Sequence, residues 1–164
     1  MSRKIPANKY RVRDYRPGDF ASLLDLWKQT ELDQPERGDD AEVIERCNAR
    51  GGKLLVMEDT DEGKIIGSSW MTWDGRRIFL HHFSILPGYQ RRGLGTMLAR
   101  ESLEWIRQTG QQVKLEVHKE NYPAKRLYEK LGFFAFSDYD IYMIRDLDQR
   151  PWNDNGTYDH EPQV

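Results

Sequence analysis

Residues 83–96 read FSILPGYQRRGLGT, and this stretch decides the fold because it joins an apolar strand pattern to a helical pattern. The chain turns at Pro87 and then passes Gly93 and Gly95, which let the backbone bend tightly and leave room beside it for a ligand. The first N–H groups of a helix have no partner within the helix and favour an anion. The stretch therefore predicts a phosphate or pyrophosphate site between a strand and a helix.

Two familiar phosphate loops do not fit this stretch. A P-loop needs Lys followed by Ser or Thr after its second glycine, whereas Thr96 and Met97 follow Gly95. A dinucleotide-binding loop needs a third Gly or Ala where Leu98 stands, and it needs the opening strand of a βαβ unit. A helix-opening turn whose glycines serve packing alone is the structural alternative.

Three strand patterns lead into the stretch and predict an antiparallel meander. Lys53–Glu58 is apolar, Lys64–Trp73 is a longer strand, and Arg76–Leu86 is nearly continuous in apolar and aromatic residues. Asp74-Gly75 is typical of a two-residue hairpin turn between the last two.

The other predicted elements precede and follow the meander in the chain. They are a strand at Tyr10–Tyr15, a helix from Pro17 to about Trp27, a loop at Thr30–Asp40, helices at Asp40–Arg50, Thr96–Thr109 and Tyr122–Leu131, a strand at Val113–Val117, and closing strands at Phe133–Phe136 and Ile141–Ile144. Because a helix separates Val113–Val117 from the meander, the two strands should be parallel.

The composition limits the function classes. The chain has 164 residues with 25 Lys and Arg against 27 Asp and Glu, so its net charge of −2 argues against a nucleic-acid binder. We predict one domain over residues 1–147 and a polar tail over 148–164. No apolar run approaches the roughly 20 residues of a membrane span, and no secretory signal is visible, so we expect a cytoplasmic protein without a membrane partner. The single cysteine, Cys47, excludes an internal disulfide.

A second group of residues follows the stretch. Glu116 lies within the apolar Val113–Val117 pattern, where a buried unpaired carboxylate would be costly. Asn121 is most simply a helix N-cap, and Tyr128 lies on an apolar helical stripe that is typical of a core position.

Together the two groups resemble the GNAT superfamily of N-acetyltransferases. Gln90, Gly93 and Gly95 match its Gln/Arg-x-x-Gly-x-Gly/Ala signature, and Asn121 with Leu127–Phe133 matches its Asn…Leu-Tyr-Glu-x-Leu-Gly-Phe pattern. The resemblance covers about residues 10–146. It implies an α/β fold with a mixed, mostly antiparallel, splayed sheet of six to seven strands and helices on both faces.

The resemblance implies an N-acetyltransferase that uses acetyl-CoA as co-substrate and no metal. The residues expected to bind the cofactor are Phe83, Ser84, Ile85, Gln90, Arg91, Arg92, Gly93, Leu94, Gly95, Thr96, Asn121 and Tyr128. The loop backbone would hold the pyrophosphate, and the strand residues would hold the pantetheine arm like an added strand.

The resemblance also implies catalytic roles. Tyr128 is the expected general acid for the departing thiolate, and the general base is either Glu116, which we prefer, or His81. Strict strand alternation directs His82 to the opposite face from His81, which makes a two-histidine metal site improbable.

The acceptor is expected to be a primary amine, either a small molecule or a peptide or protein amine. The Thr30–Asp40 loop is rich in acidic residues, so it is either an acidic rim that attracts a cationic amine or an ordinary solvated loop. The alternative function is an acyl-CoA-binding regulatory module without turnover. Dimers are common in the family, so a homodimer is an option that no residue argues for.

Overall fold

The structure is a computed structural model that describes residues 9–146 of the chain. Its strands are β1 (Tyr10–Asp14), β2 (Lys53–Asp59), β3 (Lys64–Trp73), β4 (Arg77–Ile85) and β5 (Gln112–Leu115), and its α-helices are α1 (Phe20–Gln29), α2 (Ala41–Ala49), α3 (Leu94–Thr109) and α4 (Tyr122–Lys130). Short 3-10 helices at Pro17–Asp19, Pro35–Arg37 and Pro87–Tyr89 complete the regular structure.

The strands form one open sheet in the order β1-β2-β3-β4-β5. The first four strands are mutually antiparallel, and β5 runs parallel to β4. The predicted meander and the predicted parallel pair are therefore confirmed, and the α/β fold class with them.

Helices cover both faces of the sheet, as the sequence predicts. Trp27 of α1 stacks on Trp70 and donates a hydrogen bond from Nε1 to Ser68 Oγ at 3.0 Å. Ser102 of α3 donates to Ser69 Oγ at 2.7 Å. Because neighbouring residues of a strand face opposite sides, Ser68 and Ser69 show that α1 and α3 pack on opposite faces.

Local sequence signals set the helix ends. Asp40 caps α2 by accepting a hydrogen bond from the Val43 N–H at 2.9 Å. Helix α3 begins at Leu94, two residues earlier than predicted, because Gly93 is its N-cap in the left-handed conformation (φ 84°). Gly110 ends α3 with φ 69°, which glycine adopts without strain.

Residues 134–146 form a separate unit, and the predicted closing strands are wrong there. Within the described part of this unit no residue belongs to a helix or strand, so the count is five strands instead of six to seven. A strand needs hydrogen bonds to a neighbouring strand. The aromatic side chains of this segment instead contact each other locally: the Phe136 ring packs on Phe134 and, across a turn, on Tyr139. The predicted polar tail, 148–164, lies outside the described residues.

Candidate functional site

The sheet splays open between β4 and β5. Their ladder runs only from Arg77–Gln112 to Leu80–Leu115, so residues 81–85 of β4 have no partner on that side among the described strands. We call this opening the slot. Its edge presents backbone N–H and C=O groups that could pair with an extended ligand.

A β-bulge lies at the beginning of the slot. The register with β3 shifts between Ser68 and Trp70, and His82 has a φ of 42°, which is unusual for a residue other than glycine. The Ser68 hydroxyl holds the bulge by donating to the His82 carbonyl at 2.7 Å.

The bulge overturns the prediction that His81 and His82 face opposite sides of the sheet. Both imidazole rings lie beside Trp70, with ring centroids 6.1 and 5.4 Å from it. An extra residue at a bulge breaks the alternation of side chains, and the sequence pattern could not show this. No group of three or more His, Cys, Asp or Glu in residues 9–146 could hold a metal ion.

The Gly-rich loop connects β4 to α3. Gly93 and Arg91 both have positive φ angles, 84° and 61°, so the loop makes a tight left-handed turn. Gln90 donates from Nε2 to the Ile85 carbonyl at 2.8 Å, and this bond ties the loop to the end of β4. Arg92 donates to the Gly88 carbonyl at 2.6 Å.

Gly95, the second motif glycine, lies in the first turn of α3. A Cβ atom there would be 3.7 Å from Leu127 and 3.9 Å from Ile85, which are ordinary contacts. Packing within the described residues therefore does not require glycine at 95. Helix α3 begins next to Gly93, so the N–H groups of Leu94, Gly95 and Thr96 belong to its first turn and have no acceptor within the helix.

Tyr128 of α4 lies beside the slot. Its side chain is buried, and its ring meets Phe83 of β4 and Phe133 edge-on, at centroid distances of 6.0 and 5.5 Å. Burial raises the pKa of Tyr128 to about 12, so the phenol keeps its proton at neutral pH.

Two other predicted site residues are exposed. Glu116 follows β5, which ends at Leu115, so the expectation that a buried strand carries it is wrong. Asn121 is the N-cap of α4, and its side chain accepts a hydrogen bond from the Ala124 N–H at 3.2 Å. His81 is half-buried, its Nε2 lies 2.9 Å from Thr72 Oγ1, and burial lowers its pKa to about 4.

On the α1 face of β4 lies a cavity of about 260 Å³, which we call the β4 cavity. Its lining residues are Trp27, Leu32, Asp33, Gln34, Pro35, Gly38, Asp39, Asp40 and His82. His82 Nε2 lies 3.3 Å from Asp39 Oδ2. The sequence did not identify His82 as a site residue, because the bulge that turns it toward the cavity leaves no sequence pattern. The acidic Thr30–Asp40 loop was the one sequence signal for this cavity.

Comparisons with known proteins point in one direction. The profile of the acetyltransferase (GNAT) family matches residues 20–133. An acetyltransferase of Pectobacterium atrosepticum is 25% identical over 123 residues, which are 74% of this chain and 86% of the relative.

No helix among residues 9–146 is long and apolar enough to span a membrane.

Solved structures share the fold. An acetyltransferase of Trypanosoma brucei superposes with a TM-score of 0.64 at 25% identity, and the match covers 82% of this chain and 99% of that one. A putative acetyltransferase of Salmonella typhimurium, solved with acetyl-CoA, has a TM-score of 0.64 at 21% identity over 77% of this chain and 80% of that one.

Proposed function

We propose, given that this chain belongs to the GNAT acetyltransferase family and is an acetyltransferase whose donor is acetyl-CoA, that the acetyl acceptor is a primary amine. The amine would attack the thioester carbonyl carbon directly. The observation that carries the proposal is the continuity of the site: the slot along residues 81–85 leads into the Gly-rich loop and passes the buried Tyr128.

The donor side of the site fits acetyl-CoA. The edge of Phe83, Ser84 and Ile85 offers backbone groups for an extended arm, and the loop from Arg91 to Thr96 offers free N–H groups for a pyrophosphate. Glycine at position 95 is consistent with a ligand there, because packing within the described residues would accept a Cβ atom. When bound, acetyl-CoA supplies the acetyl group as a thioester.

Tyr128 is proposed as the general acid. Its burial and raised pKa keep it protonated at neutral pH, so its hydroxyl has a proton to donate to the departing thiolate. The ring contact with Phe83 supports this role because it fixes the phenol beside the slot. Asn121 caps the same helix and so helps to hold Tyr128 in position.

Glu116 is proposed as the general base, with His81 as the alternative. An amine with a pKa near that of Lys, about 10.4, is protonated at pH 7 and must lose a proton before it attacks. The exposed Glu116 carboxylate can pass that proton to solvent. The His81 imidazole is half-buried, and its Nε2 already has Thr72 as a partner.

The proposal is tested by thiol release from acetyl-CoA with a panel of amines: diamines, monoamines, amino acids, aminoglycosides and short peptides. Mass spectrometry should find a product that is about 42 Da heavier for each transferred acetyl group, because an acetyl group replaces one hydrogen of the amine. Binding of acetyl-CoA without thiol release from any amine would contradict the proposal and favour a regulatory module.

A further inference from the structure

We propose that the β4 cavity binds the acceptor, that the acceptor is a short aliphatic diamine, and that Asp39 and His82 hold the amino group that becomes acetylated. The inference rests on the proposed function, since it names the substrate class of the same site. It assigns His82 and Asp39 as residues that contact the substrate.

The first observation is an unsatisfied histidine in the cavity wall. The His82 side chain is 4% exposed, and no described residue makes a well-formed hydrogen bond to either ring nitrogen, although Nε2 lies 3.3 Å from Asp39 Oδ2. The Leu32 backbone next to the ring favours its protonated form. A buried polar group without a partner is costly, so an N–H donor from a ligand would find a favourable place.

The second observation is the charge of the lining. Asp33, Asp39 and Asp40 line the cavity, and no Lys or Arg does so within residues 9–146. The positive charge of Arg37 acts to lower the pKa of both Asp39 and His82, and the Arg37 side chain itself is exposed. Asp40 already accepts a hydrogen bond from the Val43 N–H, so Asp33 and Asp39 are the carboxylates left for a ligand. Two carboxylates favour a ligand with two positive charges.

The protonation of the two contact residues agrees with a cationic ligand. Burial, with His81 and Arg37 nearby, lowers the pKa of His82 to about 4, so at neutral pH the ring is uncharged and does not repel an ammonium group. Burial raises the pKa of Asp39, and an ammonium group beside it would favour the ionised carboxylate.

The third observation is the size of the cavity and its apolar walls. Its volume of about 260 Å³ is bounded by Trp27, Leu32 and Pro35 as well as by the carboxylates. Pockets for drug-sized ligands are usually larger, roughly 300–1,000 Å³. A short methylene chain between two ammonium groups would place its carbons against these walls and its charges on the carboxylates.

The cavity and the slot meet at the bulge. His82 is the neighbour of Phe83, whose ring contacts Tyr128. Trp27, which lines the cavity, supports the bulge through Ser68. An amine held by His82 would therefore lie near the part of β4 that faces the donor.

The first test compares acceptors with the wild-type protein. We expect kcat/KM for 1,4-diaminobutane to exceed that for butylamine by about tenfold, because a second ammonium group adds one charge-assisted contact. A tripeptide with a free N-terminus should be poorer still. Equal kcat/KM values for the diamine and the monoamine, or a preference for the peptide, would overturn the inference but leave the proposed function intact.

The second test uses variants with a matched control. Asp39→Asn should raise the KM for the diamine about tenfold with a smaller effect on kcat, while the Kd for acetyl-CoA stays unchanged. His82→Asn should also raise this KM, and Asn tolerates the positive φ at the bulge. Glu42→Gln removes one exposed negative charge two residues after Asp40, outside the cavity lining, and it should leave the KM unchanged.

Calorimetry of 1,4-diaminobutane with each variant gives a readout that is independent of turnover. We expect binding to the wild type and to Glu42→Gln, with weaker binding to Asp39→Asn. Equal diamine affinity in Asp39→Asn and Glu42→Gln would overturn the inference even if the wild type acetylates amines. If the wild type acetylates no amine at all, the proposed function fails and the inference fails with it.

Discussion

The two sides of β4 differ in how the chain builds them. On the donor side, the β4 edge of the slot and the Gly-rich loop lie within one continuous stretch, 81–96. On the acceptor side, the β4 cavity brings together α1, the loop before α2 and the bulge at His82. The donor side therefore depends on local backbone geometry, whereas the acceptor side depends on tertiary packing.

Because the two sides are built from different parts of the chain, binding of acetyl-CoA and binding of the amine should respond to different substitutions. Substitutions in the loop should affect acetyl-CoA binding, and substitutions in the cavity should affect amine binding. A substitution of Tyr128, the proposed general acid, should affect turnover instead. The experiments below test this separation at individual residues.

Tyr128→Phe should cause the largest change in turnover. Loss of the proposed acid should lower kcat by about 100-fold, within the range for general acid catalysis, while the Kd for acetyl-CoA stays nearly constant. Steady-state thiol release and calorimetry measure the two quantities. An unchanged kcat would remove Tyr128 as the acid.

Gly95→Val should weaken acetyl-CoA binding by about tenfold or more. A Cβ atom at this position makes only ordinary contacts with Leu127 and Ile85, and the two methyl groups beyond it would obstruct the ligand. Gly93→Val is a less specific probe because φ at Gly93 is 84° and the substitution would strain the loop itself. Gly18→Val, at a position with open space and no positive φ, is the control. Wild-type affinity in a folded Gly95→Val protein would contradict the placement of the pyrophosphate.

Glu116→Gln should lower kcat by about tenfold at neutral pH if Glu116 is the base, a modest value for an exposed carboxylate. His81→Asn should then have the smaller effect. The pH dependence of kcat for both variants decides between them, and a larger loss in His81→Asn would assign the base to the acceptor side.

Ser68→Ala should destabilise the bulge. It removes the acceptor of the buried Trp27 N–H and the donor to the His82 carbonyl, at a cost of about 1–3 kcal/mol. Urea unfolding measures the loss, with the exposed Ser22→Ala as control. We expect the KM for the amine to rise as well; a stable variant with an unchanged KM would show that the bulge does not position the acceptor.

Asp19→Asn should have the smallest effect, and that effect should depend on pH. Arg13 hydrogen-bonds Asp19 at 2.7 Å and lowers its pKa, so the pair stabilises the fold above the unfolded-state pKa, near 3.9. This contribution, about 1 kcal/mol, is lost as pH falls through the folded-state pKa. Urea unfolding at pH 7 and pH 3 should therefore show a wild-type advantage that shrinks at the lower pH. A constant advantage would mean that the charge of Asp19 is not its source.

The sequence predicted the local features of the molecule well. The hairpin at Asp74-Gly75, the Asp40 cap and the Gly-rich turn follow from residues that are adjacent in the chain, so their bounds were nearly right. The closing strands were wrong because a strand depends on a distant partner. The shared face of His81 and His82 was missed because a bulge depends on the register between β3 and β4.

One pair of variants tests the central claim, that donor and acceptor are bound on separate sides of β4. We would measure the Kd for acetyl-CoA and the KM for 1,4-diaminobutane in Gly95→Val and in Asp39→Asn. The account predicts that Gly95→Val weakens only acetyl-CoA binding and that Asp39→Asn raises only the KM for the amine. A change of both quantities in both variants would contradict it.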